Sequence, residues 1–429
     1  MSVGKKPPEG RFKRLGKMAA LTARLTGDLL AKTAGKDAGA DARAAERITE
    51  TLGELKGAAM KFGQMLSMDP TALSEDGRKL LSKLQSQAPH VPWDEMEDVL
   101  IDELGGAPTE RFAEFDPSPI ASASLGQVYR AKTRDGRNVA VKVQYPGIQS
   151  AIRGDLENLG SMVKALGLAG RAFDVTQYYD EIRHEMSREL DYRLEAEQAA
   201  LFRERVRPWP ELDVPEIVPE LSSGRVLTST LVSGMSLAAF AESDADNEAR
   251  LRVSRQLVLA IFGPLLANGM VHADPHPGNF LVTPDGRLAI LDFGAVKHLS
   301  PVFVQHVREA LKALLAEGRD LDLLPMLQQG GFAFEGEDPE DANEALNGAR
   351  NILRRPVAGD YYDYGASTIA EDLREYGRKK VKVFMGIRPP AEAVMFFRAL
   401  AGCSFNLRAL RGKGNFRKVV EELVHVGQA

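Results

Sequence analysis

Apolar residues recur at helical intervals in the first quarter of the chain. In "AAERITETLGELKGAAMKFGQMLSM" (residues 44–68), Ile48, Leu52, Leu55, Ala59 and Phe62 fall three or four positions apart, which lines one face of an α-helix. "PHVPWDEMEDVLIDEL" (89–104) predicts another helix, with Pro92 ahead of it and acids in its first turn. Over residues 112–143 the texture changes to short apolar runs broken by "DPSP" and "RDGRN", which predicts strands and a hairpin. A long, charge-laced helical segment covers residues 176–206. The proline-punctuated stretch 207–221 follows, then a strand-like "GRVLTSTLVSG" whose Ser233-Gly234 reads as a linker. Beyond it the pattern is helical, apart from "NFLVTPDGRLAILDFG" (279–294), two strands joined by a Pro-Asp-Gly turn. Helices, a small sheet with one helix, and a helical domain with one hairpin make an α+β chain of two lobes, and a cleft between lobes is a natural ligand site. The expected divisions are an arm at 1–36, a helical extension at 37–111, a first lobe at 112–234 and a second at 235–429. No internal repeat is visible.

Composition narrows the function classes. The 429 residues are 44% hydrophobic and 27% charged, with a net charge of −5, which argues against a nucleic-acid binder. A single cysteine, Cys403, excludes a disulfide framework and suits a reducing, cytoplasmic setting. No signal peptide is visible, and the most apolar stretch, residues 256–271, is too short and too interrupted by Gly, Pro and Asn for a membrane span; it reads as a core helix. Charge is uneven, however. Residues 1–36 carry nine Lys or Arg against Glu9 and Asp28. Such an arm is either a solvated terminus or a peripheral contact with an anionic membrane surface.

Three stretches carry chemistry. Lys142, in "NVAVKVQ", shares a strand face with Ala140 and Gln144. Alone it would read as an edge lysine facing water, but phosphates or a helix carboxylate would satisfy it if buried. "VHADPHPGNF" places Asp274 and Asn279 five apart in a loop, the spacing at which an aspartate takes a hydroxyl proton and an asparagine binds a metal. "LAILDFGAV" ends a strand at Asp292, where a carboxylate can hold Mg²⁺ on a polyphosphate beside Asn279. Ahead of them lies "IASASLGQVYRAK" (120–132), shaped like a phosphate-cradling loop, with Ala121, Ser122, Ala123, Ser124, Gly126 and Val128 around the phosphates. Each piece alone is ordinary turn chemistry. In this order they describe a kinase-like cleft for ATP and Mg²⁺. A metal cluster of His272, Asp274 and His276 is the rival, and no second ligand group at familiar spacing supports it.

"ASASLGQVYRAK" resembles the alanine-rich loop of the UbiB/AarF family of atypical kinase-like proteins. "KFGQ" (61–64), "ELDYRLEA" (189–196), "HADPHPGN" and "LDFGA" resemble four further motifs of that family, in order across roughly residues 45–410. Ser122 stands where the family usually has alanine. The resemblance implies that Lys142 contacts the nucleotide phosphates and pairs with Glu195; the residues alone leave Glu185, Glu189, Asp191, Glu195 and Glu197 open as partners. It also implies that Glu189 and Asp191 meet the extension near Lys61 and Gln64, and that Leu231 and Val232 flank the adenine.

Alanine in place of glycine removes backbone freedom, so Ala121 and Ala123 should restrict how phosphates settle, while Gly126 serves the turn into the next strand. The chain runs from Asp-Phe-Gly directly into a helix, "SPVFVQHVREALKALLAEG", without the Ala-Pro-Glu segment that docks peptides, and Ala273 replaces the usual arginine ahead of the catalytic aspartate. The expected activity is therefore a Mg²⁺-dependent ATPase or a kinase of a small molecule or lipid, which the resemblance links to ubiquinone or other prenyl-lipid metabolism. A prenyl-phenol lipid is the implied partner besides ATP and ADP. The alternative is a pseudokinase-like protein that uses nucleotide as a switch to bind or present a lipid without phosphoryl transfer.

Overall fold

The computed structural model describes residues 91–427, apart from 124, 155, 158–182, 184–185 and 318–319. The basic arm, Lys61, Gln64 and Ser124 lie outside the described residues. The chain divides into two compact units: the first takes it up to Leu194 and adds Val218–Ser229, and the second holds Glu195–Ile217 and the chain from Thr230 onward.

In the first unit, Trp93–Leu104 is helical, with Pro92 at its start, Asp94 and Glu95 in the first turn, and Met96, Val99, Leu100 and Leu104 buried on one face. Its buried stripe packs with a five-stranded sheet ordered Glu114–Phe115, Gly126–Lys132, Asn138–Gln144, Val226–Thr230, with Ala121–Ala123 also on the Gly126–Lys132 strand. Alternation sorts the faces. Val139, Val141 and Val143 are fully buried with Tyr129 and Ala131, and Trp93 closes this core against Phe115 and Tyr129 at ring distances of 5.1 Å each. Lys142 and Ala140 take the opposite face.

Gly126 is kept for a different reason from the expected turn. It pairs with Gln144, and a Cβ there would lie 2.0 Å from the Val143 carbonyl oxygen. Close approach of two strands excludes any side chain. The charged stretch read as one helical segment is also interrupted, at Leu190 and Asp191. Asp191 Oδ1 accepts from Arg193 N at 3.0 Å, and Tyr192 N donates to Gly224 O at 3.0 Å, so the chain restarts as the helix Tyr192–Arg205.

The second unit is built on Asn247–Asn268, a helix capped by the Asp246 carboxylate and ended by Gly269 in the left-handed region, φ 76°. From it the chain enters the strand Met270–His272, which pairs antiparallel with Val296–His298. A separate four-stranded sheet is ordered Leu212–Asp213, Leu288–Ile290, Phe280–Val282, Met235–Ser236. Gly234 is no slack linker: a Cβ there would meet Val282 O at 2.6 Å.

Two hairpins, Gly126–Lys132 with Asn138–Gln144 and Phe280–Val282 with Leu288–Ile290, share one turn design, Thr133-x-Asp-Gly-Arg137 and Thr283-x-Asp-Gly-Arg287. Each threonine N donates to the arginine carbonyl at 2.9 Å, and Gly136 and Gly286 take φ of 91° and 81°. The C-terminal helices Pro301–Leu315, Pro339–Leu353, Ala391–Leu410 and Phe416–His425 follow, with two short strand pairs, Ala333–Phe334 with Ile387–Arg388 and Tyr362–Asp363 with Lys413–Gly414, that the sequence pattern did not predict. Among the described residues one helix, Ala391–Leu410, is long and apolar enough to cross a membrane. Its Ala393, Ala399, Cys403, Leu407 and Leu410 are buried in the core of this unit, and burial pushes the Cys403 thiol up to about 12.

Gly126→Ala is expected to destabilise the protein by about 1–3 kcal/mol, because the clash is with backbone that cannot rotate away. Gly359→Ala, where a Cβ meets nothing within 4 Å, should stay within about 0.5 kcal/mol. Denaturant midpoints of the two variants check this; equal midpoints would remove the steric explanation.

Candidate nucleotide and catalytic site

In the first unit the alanine loop folds as a tight hairpin. Ala121 pairs with Val128, Ser122 with Gln127 and Ala123 with Gly126, while Val128 pairs in turn with Lys142 on the far side. Ala121, Val128 and Lys142 therefore occupy one rung across three strands and present one face. The Lys142 ammonium sits 4.8 Å from the centroid of the Tyr192 ring, a cation–π contact that no sequence pattern indicated. Glu189 and Asp191 are half-buried in this unit, with Asp191 engaged as the cap of the helix that follows. Glu195, on that helix and 6% exposed, belongs to the second unit, as do the half-buried Leu231 and Val232 in the segment before Met235–Ser236.

The second unit gathers Asp274, Asn279 and Asp292. Asn279 Nδ2 donates to Asp274 O at 3.0 Å and to Asp274 Oδ2 at 3.2 Å, and the Asn279 carbonyl accepts from Leu291 N at 2.9 Å. The hairpin between them, with Phe280 opposite Ile290, brings the chain back so that Asp292 follows one residue after that bond. Asp292 Oδ1 accepts from Gly294 N at 3.0 Å.

His272 anchors the same strand end. Its Nε2 lies 2.6 Å from the Asp292 carbonyl oxygen. A carbonyl only accepts, so Nε2 carries the proton. The ring is 1% exposed and boxed by Phe202, Phe280 and Phe293 at 6.0, 5.8 and 6.1 Å, and Phe293 also meets Phe202 at 5.4 Å. His276 Nδ1 accepts from Gly278 N at 3.1 Å. Both histidines thus have structural work, and no cluster of three or more His, Cys, Asp or Glu able to hold a metal occurs among the described residues.

The donor set still suits a hard cation bridged to phosphate. Asn279 commits its Nδ2 to Asp274, so its amide oxygen is the atom that would face a cation, and the Asp292 carboxylate would be the second oxygen donor. Oxygen donors of this kind, completed by water and phosphate, are what Mg²⁺ takes.

Sequence reasoning missed the helix behind this loop. Ala391–Leu410 brings Arg398 Nη2 to 3.4 Å from Asp274 Oδ1 and Asn406 Nδ2 to 2.6 Å from Pro275 O. Earlier in the same helix Glu392 accepts from Ser300 N at 2.7 Å and Ser300 Oγ at 2.8 Å, which locks the start of the helix Pro301–Leu315. Only six residues separate Gly294 from Pro301, so the chain passes from the Asp-Phe-Gly motif almost directly into this helix.

The fold and the paired loops define a protein of the kinase-like class, α+β as the sequence pattern predicted. Its family is narrower. Residues 83–321 match the ABC1 atypical kinase-like domain. The chain is 31% identical over 376 residues to atypical kinase COQ8B, mitochondrial, of Rattus norvegicus, covering 86% of this chain and 70% of that one. It is 30% identical over 362 residues to atypical kinase coq-8, mitochondrial, of Caenorhabditis elegans, covering 81% of this chain but 46% of that one, so it spans about half the length of that relative. The solved structure of the Rv3197–erythromycin complex from Mycobacterium tuberculosis aligns with a TM-score of 0.65 and 30% identity over 90% of this chain and 97% of that one. The chain belongs to the ABC1 atypical kinase-like family, the UbiB group named from its motifs.

His272→Phe keeps an aromatic ring at this position and removes the donor to the Asp292 carbonyl. It is expected to cost about 1–3 kcal/mol in thermal or denaturant unfolding. A variant as stable as the parent would show that this hydrogen bond does not hold the strand end.

Proposed function

We propose that this chain binds ATP with Mg²⁺ and either hydrolyses it or phosphorylates a small-molecule or lipid hydroxyl, in support of ubiquinone or related prenyl-lipid metabolism. One observation carries the reading: Asn279 is tied through its side chain to Asp274 and through its backbone to the residue before Asp292, which gathers a base and two oxygen ligands within one loop and hairpin. Bound Mg²⁺·ATP would supply the transferable phosphoryl group and neutralise its charge. In this reading Asp274 takes the proton of the attacking hydroxyl or water, and Asn279 and Asp292 hold the metal. Lys142, partnered by Glu195, faces the phosphates, and Leu231 and Val232 flank the base. Ala121, Ser122 and Ala123 replace a freer backbone, which slows rather than prevents transfer. Glu189 and Asp191 would tie the nucleotide lobe to Lys61 and Gln64. The lack of a docking segment after Gly294 favours water or a small acceptor over a protein hydroxyl. The basic arm at 1–36 supports a peripheral contact with anionic lipid.

A second reading, ligand capture without phosphoryl transfer, has its own support. A half-open cavity of about 720 Å³ in the second unit is lined by Leu237, Ala241, Pro277, Phe405, Asn406 and Arg411, a size that suits a small organic ligand. Rv3197, a relative, was solved with such a ligand, erythromycin.

Nucleotide titration and turnover assays separate the two. Asp292→Asn should weaken Mg²⁺-dependent ATP binding by more than about tenfold, and Asn279→Ala by less. Asp274→Asn should leave binding intact and lower turnover by roughly a hundredfold or more. Full-strength, Mg²⁺-dependent binding by Asp292→Asn would sink the metal assignment. Turnover unchanged in Asp274→Asn would show that this residue is not the catalytic base, and a parent that binds Mg²⁺·ATP without turning it over would favour capture without transfer.

A further inference from the structure

The loop that carries Asp274 is gripped along a single face of Ala391–Leu410. Arg398, Gly402 and Asn406 are four residues apart in turn, so their positions stack on one side of the helix. Arg398 reaches the Asp274 carboxylate at 3.4 Å, with the arginine side chain 14% exposed and the aspartate 35%. Gly402 lets the helix come so close that a Cβ would sit 2.3 Å from Pro275 Cγ. Asn406, buried, donates to the Pro275 carbonyl at 2.6 Å. Side chain, ring and backbone of the loop are each met once.

The residue ahead of Asp274 offers no such support. Ala273 is 0% exposed, and its N–H is used by the Ala295 carbonyl at 3.1 Å, so a long cationic side chain there would have to be buried among core residues. Asn279 alone gives Asp274 a neutral partner on one oxygen, Oδ2; Arg398 supplies a charge on the other, Oδ1. A carboxylate held at both oxygens keeps one rotamer, and reacting groups held in place are worth large factors in rate.

We propose that Arg398, Gly402 and Asn406 form a positioning staple for the catalytic loop, in which Arg398 does for Asp274 what Ala273 cannot. The cation comes from 124 residues downstream. The proposal rests on the reading of Asp274 as the catalytic base. The staple's contacts run to the loop at Asp274 and Pro275, so it is expected to act on turnover and leave nucleotide affinity alone.

The test uses the full chain, with kcat and KM for Mg²⁺·ATP, thermal unfolding, and hydrogen–deuterium exchange of the peptide spanning residues 272–280. Arg398→Gln should lower kcat by about tenfold or more with KM changed by less than about twofold, and Arg398→Lys should recover a large part of the loss. Added to Asp274→Asn, Arg398→Gln should cost nothing further, because its effect runs through that carboxylate. Exchange at 272–280 should quicken in Arg398→Gln and in Gly402→Ala while the melting temperature of Arg398→Gln holds. Arg408→Gln, on the exposed face of the same helix and paired with Glu371, should leave both kcat and exchange unchanged. Parent-like kcat and exchange in Arg398→Gln would overturn the proposal, as would full additivity with Asp274→Asn. A parent that binds Mg²⁺·ATP without turning it over would count against the assigned activity instead. The exchange rates would then decide the staple alone, with faster exchange supporting it and unchanged exchange ending it.

Discussion

Asn279 is the residue on which the second unit's site depends. Its side chain bonds the Asp274 carboxylate and carbonyl, and its own carbonyl receives Leu291 N, so a single asparagine fixes the loop to the hairpin strand that leads into Asp292. Asn279 thus spends its amide N–H on Asp274, and in the proposed reading its amide oxygen and the Asp292 carboxylate would hold the cation. The wider structure then serves to keep this arrangement still: His272 from below through the Asp292 carbonyl, and Ala391–Leu410 from the side through Arg398 and Asn406.

Much of the architecture was legible because it rests on local chemistry. Pro92 with Asp94 and Glu95 announces the helix Trp93–Leu104, Ser300-Pro301 announces the helix Pro301–Leu315, and the Thr-x-Asp-Gly-Arg turns announce the two hairpins that carry them. Each of these signals is complete within a few residues. The spacing of Asp274, Asn279 and Asp292 was readable for the same reason, since a loop and a hairpin suffice to relate them.

What stayed hidden depends on partners distant in sequence. Arg398, Gly402 and Asn406 look like three unremarkable positions on an apolar helix until Pro275 and Asp274 are placed against them. Tyr192 beneath the Lys142 ammonium joins a strand to a helix fifty residues later. Gly126 looked like a turn glycine, whereas its need arises from the Val143 carbonyl across the sheet. Asp191 was read within a continuous helix, because composition cannot show that Gly224 O would capture Tyr192 N and let the aspartate cap a new helix. In each case a long-range contact overrode or explained a local pattern.

The central claim is that the Asn279–Asp292 oxygens make nucleotide binding depend on a hard divalent cation. Calorimetric titration of the full chain with a non-hydrolysable ATP analogue, with Mg²⁺ and then with chelator, tests it most directly. The account predicts tight binding with the metal and a loss of about tenfold or more without it. Equal affinity in both conditions would contradict it.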